Sequence, residues 1–333
     1  MQNRRSIEMK GTKKYISPIL TTIILILFTI YLYTNPQIID GLISVKTIYI
    51  LLIMGLYLLI FFVEGVFIQV TLDIFKKKVD TKESFFLATI SRIGNYLLPM
   101  RAGAVFRAAY LKKKFNFDYS NFLSTLYGYY IIFFLTNSVL ALLILLIKWF
   151  VQDQQYMLLI TFFFAISIGM LLLVFIKFPL DRYIERSKGI TKRILTFISK
   201  FLKGWDLIVK NKRAFLLLIL LAFANIFINI LVVVSEFLAI NINGDILDSI
   251  LYTCISGVSL LISITPGSLG IREAVFLITS GSLGLNSDQV IQLAFLDRGI
   301  MFVLLLVALF VILIFFKRYN LKELFFSEKR EVK

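Results

Sequence analysis

Histidine is absent from all 333 residues, and cysteine occurs once, as Cys254. Without histidine the chain lacks the commonest general base and metal ligand available near neutral pH. With one cysteine it can form neither an intrachain disulfide nor a cysteine metal cluster. Other chemical signatures are missing too: there is no D-x-D to hold a sugar-nucleotide metal, no G-x-x-x-x-G-K-[ST] phosphate loop and no H-E-x-x-H. These gaps exclude pumping by an ATPase of its own, weigh against an enzyme, and leave no metal or cofactor to expect. Acidic residues are scarce as well, 20 against 36 lysines and arginines, for a net charge of +16. Such an excess raises nucleic acid as a partner, but the basic residues concentrate in loops between apolar runs. That distribution is the positive-inside bias of a membrane protein, joined to attraction for anionic headgroups, so no nucleic acid is expected.

What the chain has in quantity is apolar residues, 59% of the total, in several runs near or above the roughly 20 that span a bilayer. The first, Tyr15–Tyr33, follows Arg4, Arg5, Lys10, Lys13 and Lys14 in the manner of a secretory signal, but no small-residue cleavage site follows it. It reads as a retained span. Full spans are expected near 15–33, 45–70, 120–147, 156–176, 214–240 and 289–316. With the N-terminus 1–14 inside, Lys76-Lys77-Lys78, Lys112-Lys113-Lys114, the loop 177–213 and the tail 317–333 all fall on the cytoplasmic side. The loops 34–44, 148–155 and 241–249 fall outside. The expected location is the cell (plasma) membrane, multi-pass, with both termini cytoplasmic. Within loop 177–213, Ile190, Ile194, Phe197, Ile198, Phe201, Trp205 and Ile208 recur at helical spacing with lysines between them. That pattern fits an amphipathic helix lying on the anionic inner surface, or equally a linker helix packed on the bundle.

The chain has only five prolines, and two of them break apolar segments at matching positions. Segment 84–110 carries Leu97-Leu98-Pro99-Met100-Arg101-Ala102-Gly103, and segment 250–285 carries Ile264-Thr265-Pro266-Gly267-Ser268-Leu269-Gly270. Proline removes a backbone donor and glycine loosens the chain, so a helix stops and restarts at each. Broken backbone at membrane depth is tolerated only where protein or a water-filled cavity covers it, and a matching pair in two halves of a chain points to a substrate site. The loop parity makes 45–147 and 214–316 inverted repeats, each holding a re-entrant hairpin, with tips at Pro99, Gly103, Pro266, Gly267 and Gly270. Two short complete crossings per segment give the same loop parity. The expected fold is therefore an all-α polytopic membrane protein of about six full spans plus two oppositely oriented re-entrant helical hairpins.

Ionisable residues inside apolar segments are functional candidates by default. Here they are Glu64, Arg92, Arg101, Arg107, Glu236, Arg272, Glu273, Asp297 and Arg298. If a helix restarts at Gly270, Glu273 lies in its first turn, where a carboxylate can cap free amides. Arg272 is a cation at the end of a helix that disfavours cations, and a bound anion such as a lipid phosphate would satisfy it. Arg107 repeats the argument past Gly103, unless it snorkels to the cytoplasm. Asp297 and Arg298 are neighbours facing about 100° apart, so each needs a partner on another element, with Arg92, Glu273 and Glu236 available. Asn225, Asn229 and Glu236 fall within about 40° of one another on one helix face, either bonding another helix or lining a polar path.

The run Ser91-Arg92-Ile93-Gly94-Asn95-Tyr96-Leu97-Leu98-Pro99-Met100-Arg101-Ala102-Gly103-Ala104-Val105-Phe106-Arg107 resembles the first signature of the transmembrane, flippase-like domain of lysylphosphatidylglycerol synthetases and its stand-alone relatives. Ser263-Ile264-Thr265-Pro266-Gly267-Ser268-Leu269-Gly270-Ile271-Arg272-Glu273, followed by Arg298, is similar to the second. The resemblance implies a membrane protein that moves, or helps move, phospholipid-like or polyprenyl-linked amphiphiles between leaflets. It departs from the family at Leu126-Tyr127-Gly128-Tyr129-Tyr130, where relatives often carry a charged cluster, and in lacking the soluble aminoacyltransferase domain. A lipid flippase or transporter is the leading expectation, with membrane lipids as partners and a homo-oligomer or a lipid-modifying enzyme as further ones. An accessory scaffold of a glycolipid or envelope pathway is the alternative. An intramembrane transferase using Glu273 or Asp297 as base is the third.

Overall fold

The computed structural model describes residues 30, 33–34, 36–98, 101–152, 156–175, 180–262 and 265–318, and every regular element among them is helical. Pro99 and Met100 of the first break, Ser263 and Ile264 before the second, the N-terminus 1–14, most of the run 15–33 and nearly all of the tail 317–333 lie outside the described residues. The helices are α1 (Pro36–Ile43), α2 (Thr47–Ile74), α3 (Thr81–Leu97), α4 (Ala102–Phe115), α5 (Tyr119–Gln152) and α6 (Met157–Phe175). They continue with α7 (Asp181–Arg186), α8 (Gly189–Lys210), α9 (Lys212–Ala239), α10 (Ile246–Ser259), α11 (Ile271–Thr279) and α12 (Ser287–Arg318).

Five of these, α2, α5, α6, α9 and α12, are long and apolar enough to cross a membrane, and they fall on the predicted spans from 45–70 onward. At 1.5 Å per residue the 28 residues of α2 and of α9 run about 42 Å, against roughly 30 Å of hydrocarbon. Their outer faces are as apolar as their inner ones. On α2, Ile53, Tyr57, Phe61 and Leu72 are buried, while Leu51, Leu58 and Phe62 stand exposed on the other side. A helix apolar all round is one solvated by lipid. The central packing is α2 against α9, with α5 beside them and α6 on the rim.

The two interrupted segments form helix pairs, and the order long–short–short–long occurs twice, as α2–α3–α4–α5 and α9–α10–α11–α12. The short helices hold 17, 14, 14 and 9 residues, so none exceeds about 25 Å and each falls short of the hydrocarbon thickness. At the first break α4 restarts behind Arg101, whose φ of 55° is left-handed. A β-carbon on Gly103 would lie 1.9 Å from the Ser91 carbonyl oxygen, so only glycine lets α4 lie against α3 there. At the second break a tight turn over Pro266–Ser268 leads to Gly270, with φ of 79°, and α11 begins at the next residue.

Contacts at the ends of these pairs fix where they lie along α5. Glu83, at the start of α3, accepts from Lys114 Nζ at 2.6 Å, at the end of α4, and α5 begins a few residues later. Some 44 Å further along α5, Lys148 pairs with Asp248 at the start of α10 and donates to the Ser282 carbonyl, just past α11, at 3.1 Å. Each pair thus has both its ends together, at opposite ends of α5. The broken middles meet between them. Tyr96 Oη donates to the Arg298 carbonyl at 3.1 Å, the Arg101 guanidinium donates to the Leu260 carbonyl, and α3 packs on the turn at 266–268.

α8 divides the two readings of the amphipathic segment between its halves. Its C-terminal half is seated on the bundle, with Trp205 and Ile208 buried and the Phe201 carbonyl accepting from Ser124 Oγ at 2.7 Å. Its N-terminal half leaves Ile190, Ile194 and Phe197 exposed.

Candidate functional site

Where the two breaks meet, the bundle forms a partly open cavity of about 270 Å³. Every charged or amide candidate from the sequence lines it except Glu273, which lies behind the wall. Gly267 contributes to the lining, Gly103 is buried between α3 and α4, and Pro266 and Gly270 flank the second break.

Most of the charges are paired. Glu64 on α2 pairs with Arg92 on α3, so this carboxylate has its partner on the neighbouring helix. On α11 and α12, two adjacent pairs of opposite order join reciprocally: Arg272 bonds Asp297, and Arg298 bonds Glu273 with Nε and Nη2 each at 2.6 Å. Neither neighbour can pair well with its own neighbour on a helix, and contact of the two elements in the register 272–297 and 273–298 resolves all four charges at once. Each carboxylate also has a second donor. Tyr57 Oη donates to Asp297, and the Gly270 amide donates to Glu273 Oε2 at 2.7 Å, the N-terminal cap expected of Glu273. The anion beside Arg272 is therefore supplied by the protein. Arg298 further donates to the Gly267 carbonyl at 3.2 Å and to the Ser268 carbonyl at 3.4 Å, fastening the broken turn to α12.

Two arginines of the cavity have no carboxylate partner among the described residues. Arg101 donates to the Leu260 carbonyl and lies over the Tyr130 ring, 4.5 Å from its centroid. Arg107 lies over the Phe122 ring at 5.4 Å. Aromatic faces on α5 thus hold both cations, Tyr130 within the stretch 126–130 and Phe122 one turn before it. The ledger of the wall is then three neutral pairs, two free cations and one carboxyl, Glu236. The last is 2% exposed, and its Oε1 has no hydrogen-bond partner among the described residues. Asn229 Nδ2 bonds the Asn225 carbonyl at 2.8 Å and its side-chain oxygen at 2.9 Å, within α9 rather than across to another helix.

Sequence reasoning missed Tyr57 and the Lys148–Asp248 pair. Tyr57 and Glu64 are seven residues apart, hence on one face of α2, and that spacing was a usable signal. Nothing local marked Lys148, which looks like a residue at the rim of a span yet has a side chain only 3% exposed.

Comparison with curated proteins and with solved structures gives no match to this chain. Residues 15–317, nearly the whole chain and both broken segments within it, match the lysylphosphatidylglycerol synthase TM region, so this helical, multi-pass membrane protein belongs to that family.

Proposed function

We propose that the protein is a lipid flippase or transporter, moving a phospholipid-like or polyprenyl-linked amphiphile with an anionic headgroup between leaflets. The observation that carries this reading is the pair of uncompensated cations, Arg101 and Arg107, on one wall of a cavity whose other charges are matched. An unpaired guanidinium at membrane depth is expensive, and a phosphate oxygen is its natural partner. The two helix pairs enter in this reading as re-entrant hairpins of opposite orientation. It is supported by the shortness of their arms and by the union of each pair's ends at opposite ends of α5. Alternating access then rocks one repeat against the other around the shared cavity. Clustering of Lys76–Lys78 and Lys112–Lys114 near the start of α5 favours that end as cytoplasmic, in the plasma membrane. Both carboxylates a transferase would need as base, Glu273 and Asp297, are engaged by arginine and by a second donor, which favours a non-enzymatic role.

The test is the lipid retained by protein purified in native nanodiscs. Wild type should be enriched in a phosphate-bearing amphiphile over bulk membrane. Arg101→Gln/Arg107→Gln should lose about tenfold or more of that enrichment, since each charge-assisted bond contributes roughly 1.5–3 kcal/mol. Equal lipid profiles from two equally stable proteins would refute the anion site.

A further inference from the structure

We propose that Glu236 is a proton-exchange site in the cavity wall, so that traffic through the cavity is coupled to protons. Glu236 lies near the C-terminal end of α9, 2% exposed, in the wall of the cavity, with Oε1 unpartnered among the described residues. A buried carboxylate normally finds an arginine, a lysine or several N–H donors. The cation that acts on Glu236, Arg272, is already bonded to Asp297, while Arg101 and Arg107 line the same cavity without bonding it.

The groups that act on Glu236 come from the surrounding elements: Tyr57 from α2, Tyr252 from α10, Arg272 from α11 and Asp297 from α12. Arg272 is neutralised by Asp297, and Asp297 is further held by Tyr57, so the nearest charged neighbours of Glu236 already form a closed pair. α5 adds the phenols Tyr129 and Tyr130 to the same cavity. The basic residues of α8 precede the other end of α9, about 36 Å from Glu236 along the helix. An uncompensated charge in this position carries a desolvation penalty of several kcal/mol, and the neutral acid carries none. Whenever the cavity is closed to water, Glu236 is therefore the acid. When the cavity opens to water on one side, hydration removes that penalty and the carboxyl O–H bond gives its proton to water, leaving a carboxylate and hydronium. Closing requires a proton to be taken back.

An anionic headgroup beside Arg101 and Arg107 is repelled by a Glu236 carboxylate and not by the acid. By reciprocity, the bound anion raises the proton affinity of Glu236 by the factor by which protonation raises anion affinity. Lipid and proton then move in the same direction. This coupling rests on the transport reading, whereas proton exchange at Glu236 does not, and two readouts keep them apart.

The first is infrared difference spectroscopy of the protein in nanodiscs on a pH jump. Wild type should show a protonated-carboxyl C=O band that vanishes in Glu236→Gln and shifts in Glu236→Asp. A band unchanged in Glu236→Gln, or none in wild type, overturns the proposal. Glutamine copies the neutral acid, so Glu236→Gln should be at least as thermally stable as wild type, and a marked loss of stability would mean that the fold requires the anion, again overturning it. The second readout is the steady-state distribution of fluorescent phosphatidylglycerol in proteoliposomes with the membrane potential clamped. For one proton per lipid the distribution should shift about tenfold per unit of imposed pH gradient. A response to a sodium gradient in place of a pH gradient overturns the proton assignment. Failure of wild type to move lipid at all refutes the transport reading and leaves the infrared result to decide the proton site.

Discussion

Arg272 and Asp297 are 19% and 14% exposed at the side chain, joined to each other, and Arg272 Nε, 3.9 Å from Glu273, has no hydrogen bond among the described residues. Removing one member of such a pair leaves the other buried and unpaired, which costs roughly 3–5 kcal/mol. Arg272→Ala should therefore lower thermal stability sharply, and Arg272→Ala/Asp297→Asn should recover much of it. A stable Arg272→Ala would mean that Asp297 is already solvated. At the protein's end near the α4–α5 junction, the hydrogen bond from Lys112 at 2.8 Å holds the Asp118 carboxyl below the usual 3.8. A depressed carboxyl adds stability above its unfolded value, and that stability is lost as pH falls through the lower folded value. Asp118→Asn should flatten the acid limb of a stability–pH curve below about pH 4, by a small amount because both groups are substantially exposed. The adjacent pairs Arg272-Glu273 and Asp297-Arg298 were visible in the sequence as charges in need of partners. Which bonds which was not, because it depends on the register of α11 against α12, which composition does not encode. Tyr57 was overlooked because a tyrosine in an apolar helix looks like an ordinary core residue.

Among the elements, the pairing of α3 with α4 depends on Gly103. Its missing β-carbon leaves room for the Ser91 carbonyl, and a clash with backbone at 1.9 Å cannot be relieved by a rotamer change. Gly103→Ala should force the two helices apart and reduce the yield of folded protein well below wild type, whereas Gly169→Ala, in open space on α6, should be neutral. Equal yields from the two variants would show that the α3–α4 crossing is looser than the geometry describes. At the other helix pair, Lys148→Met removes the cation that ties Asp248 and Ser282 together. The loss should be about 3–5 kcal/mol, read as a fall in melting temperature that Asp248→Asn in the same chain partly reverses. The breaks themselves were legible, since proline and glycine interrupt a helix for reasons local to the backbone. Whether each broken segment returns to the side it came from was not legible. Loop charges are the same for a hairpin and for two crossings, and only the contacts of Glu83 with Lys114 and of Lys148 with Ser282 bear on it.

For the whole molecule, the units α2–α5 and α9–α12 line one cavity, whose two arginines without a carboxylate partner come from the first and whose Arg272–Asp297 and Arg298–Glu273 pairs come from the second. Cysteines placed singly in a Cys254→Ser background should separate accordingly. Lys113 and Lys188 should react with an impermeant maleimide from the cytoplasmic side, and Asp245 and Asn286 from the opposite side. Labelling of Asp245 and Asn286 from different sides would exclude a hairpin for the second unit. The most direct test of the account is lipid movement itself: wild type and Arg101→Gln/Arg107→Gln are reconstituted at matched density, and inner-leaflet fluorescent phosphatidylglycerol is followed as it becomes accessible to an external quencher. Wild type should accelerate exchange well above protein-free vesicles, with the variant about tenfold slower or more if either arginine's charge-assisted bond to the headgroup is lost. Exchange by wild type no faster than in protein-free vesicles, or exchange by a folded variant as fast as wild type, would contradict it.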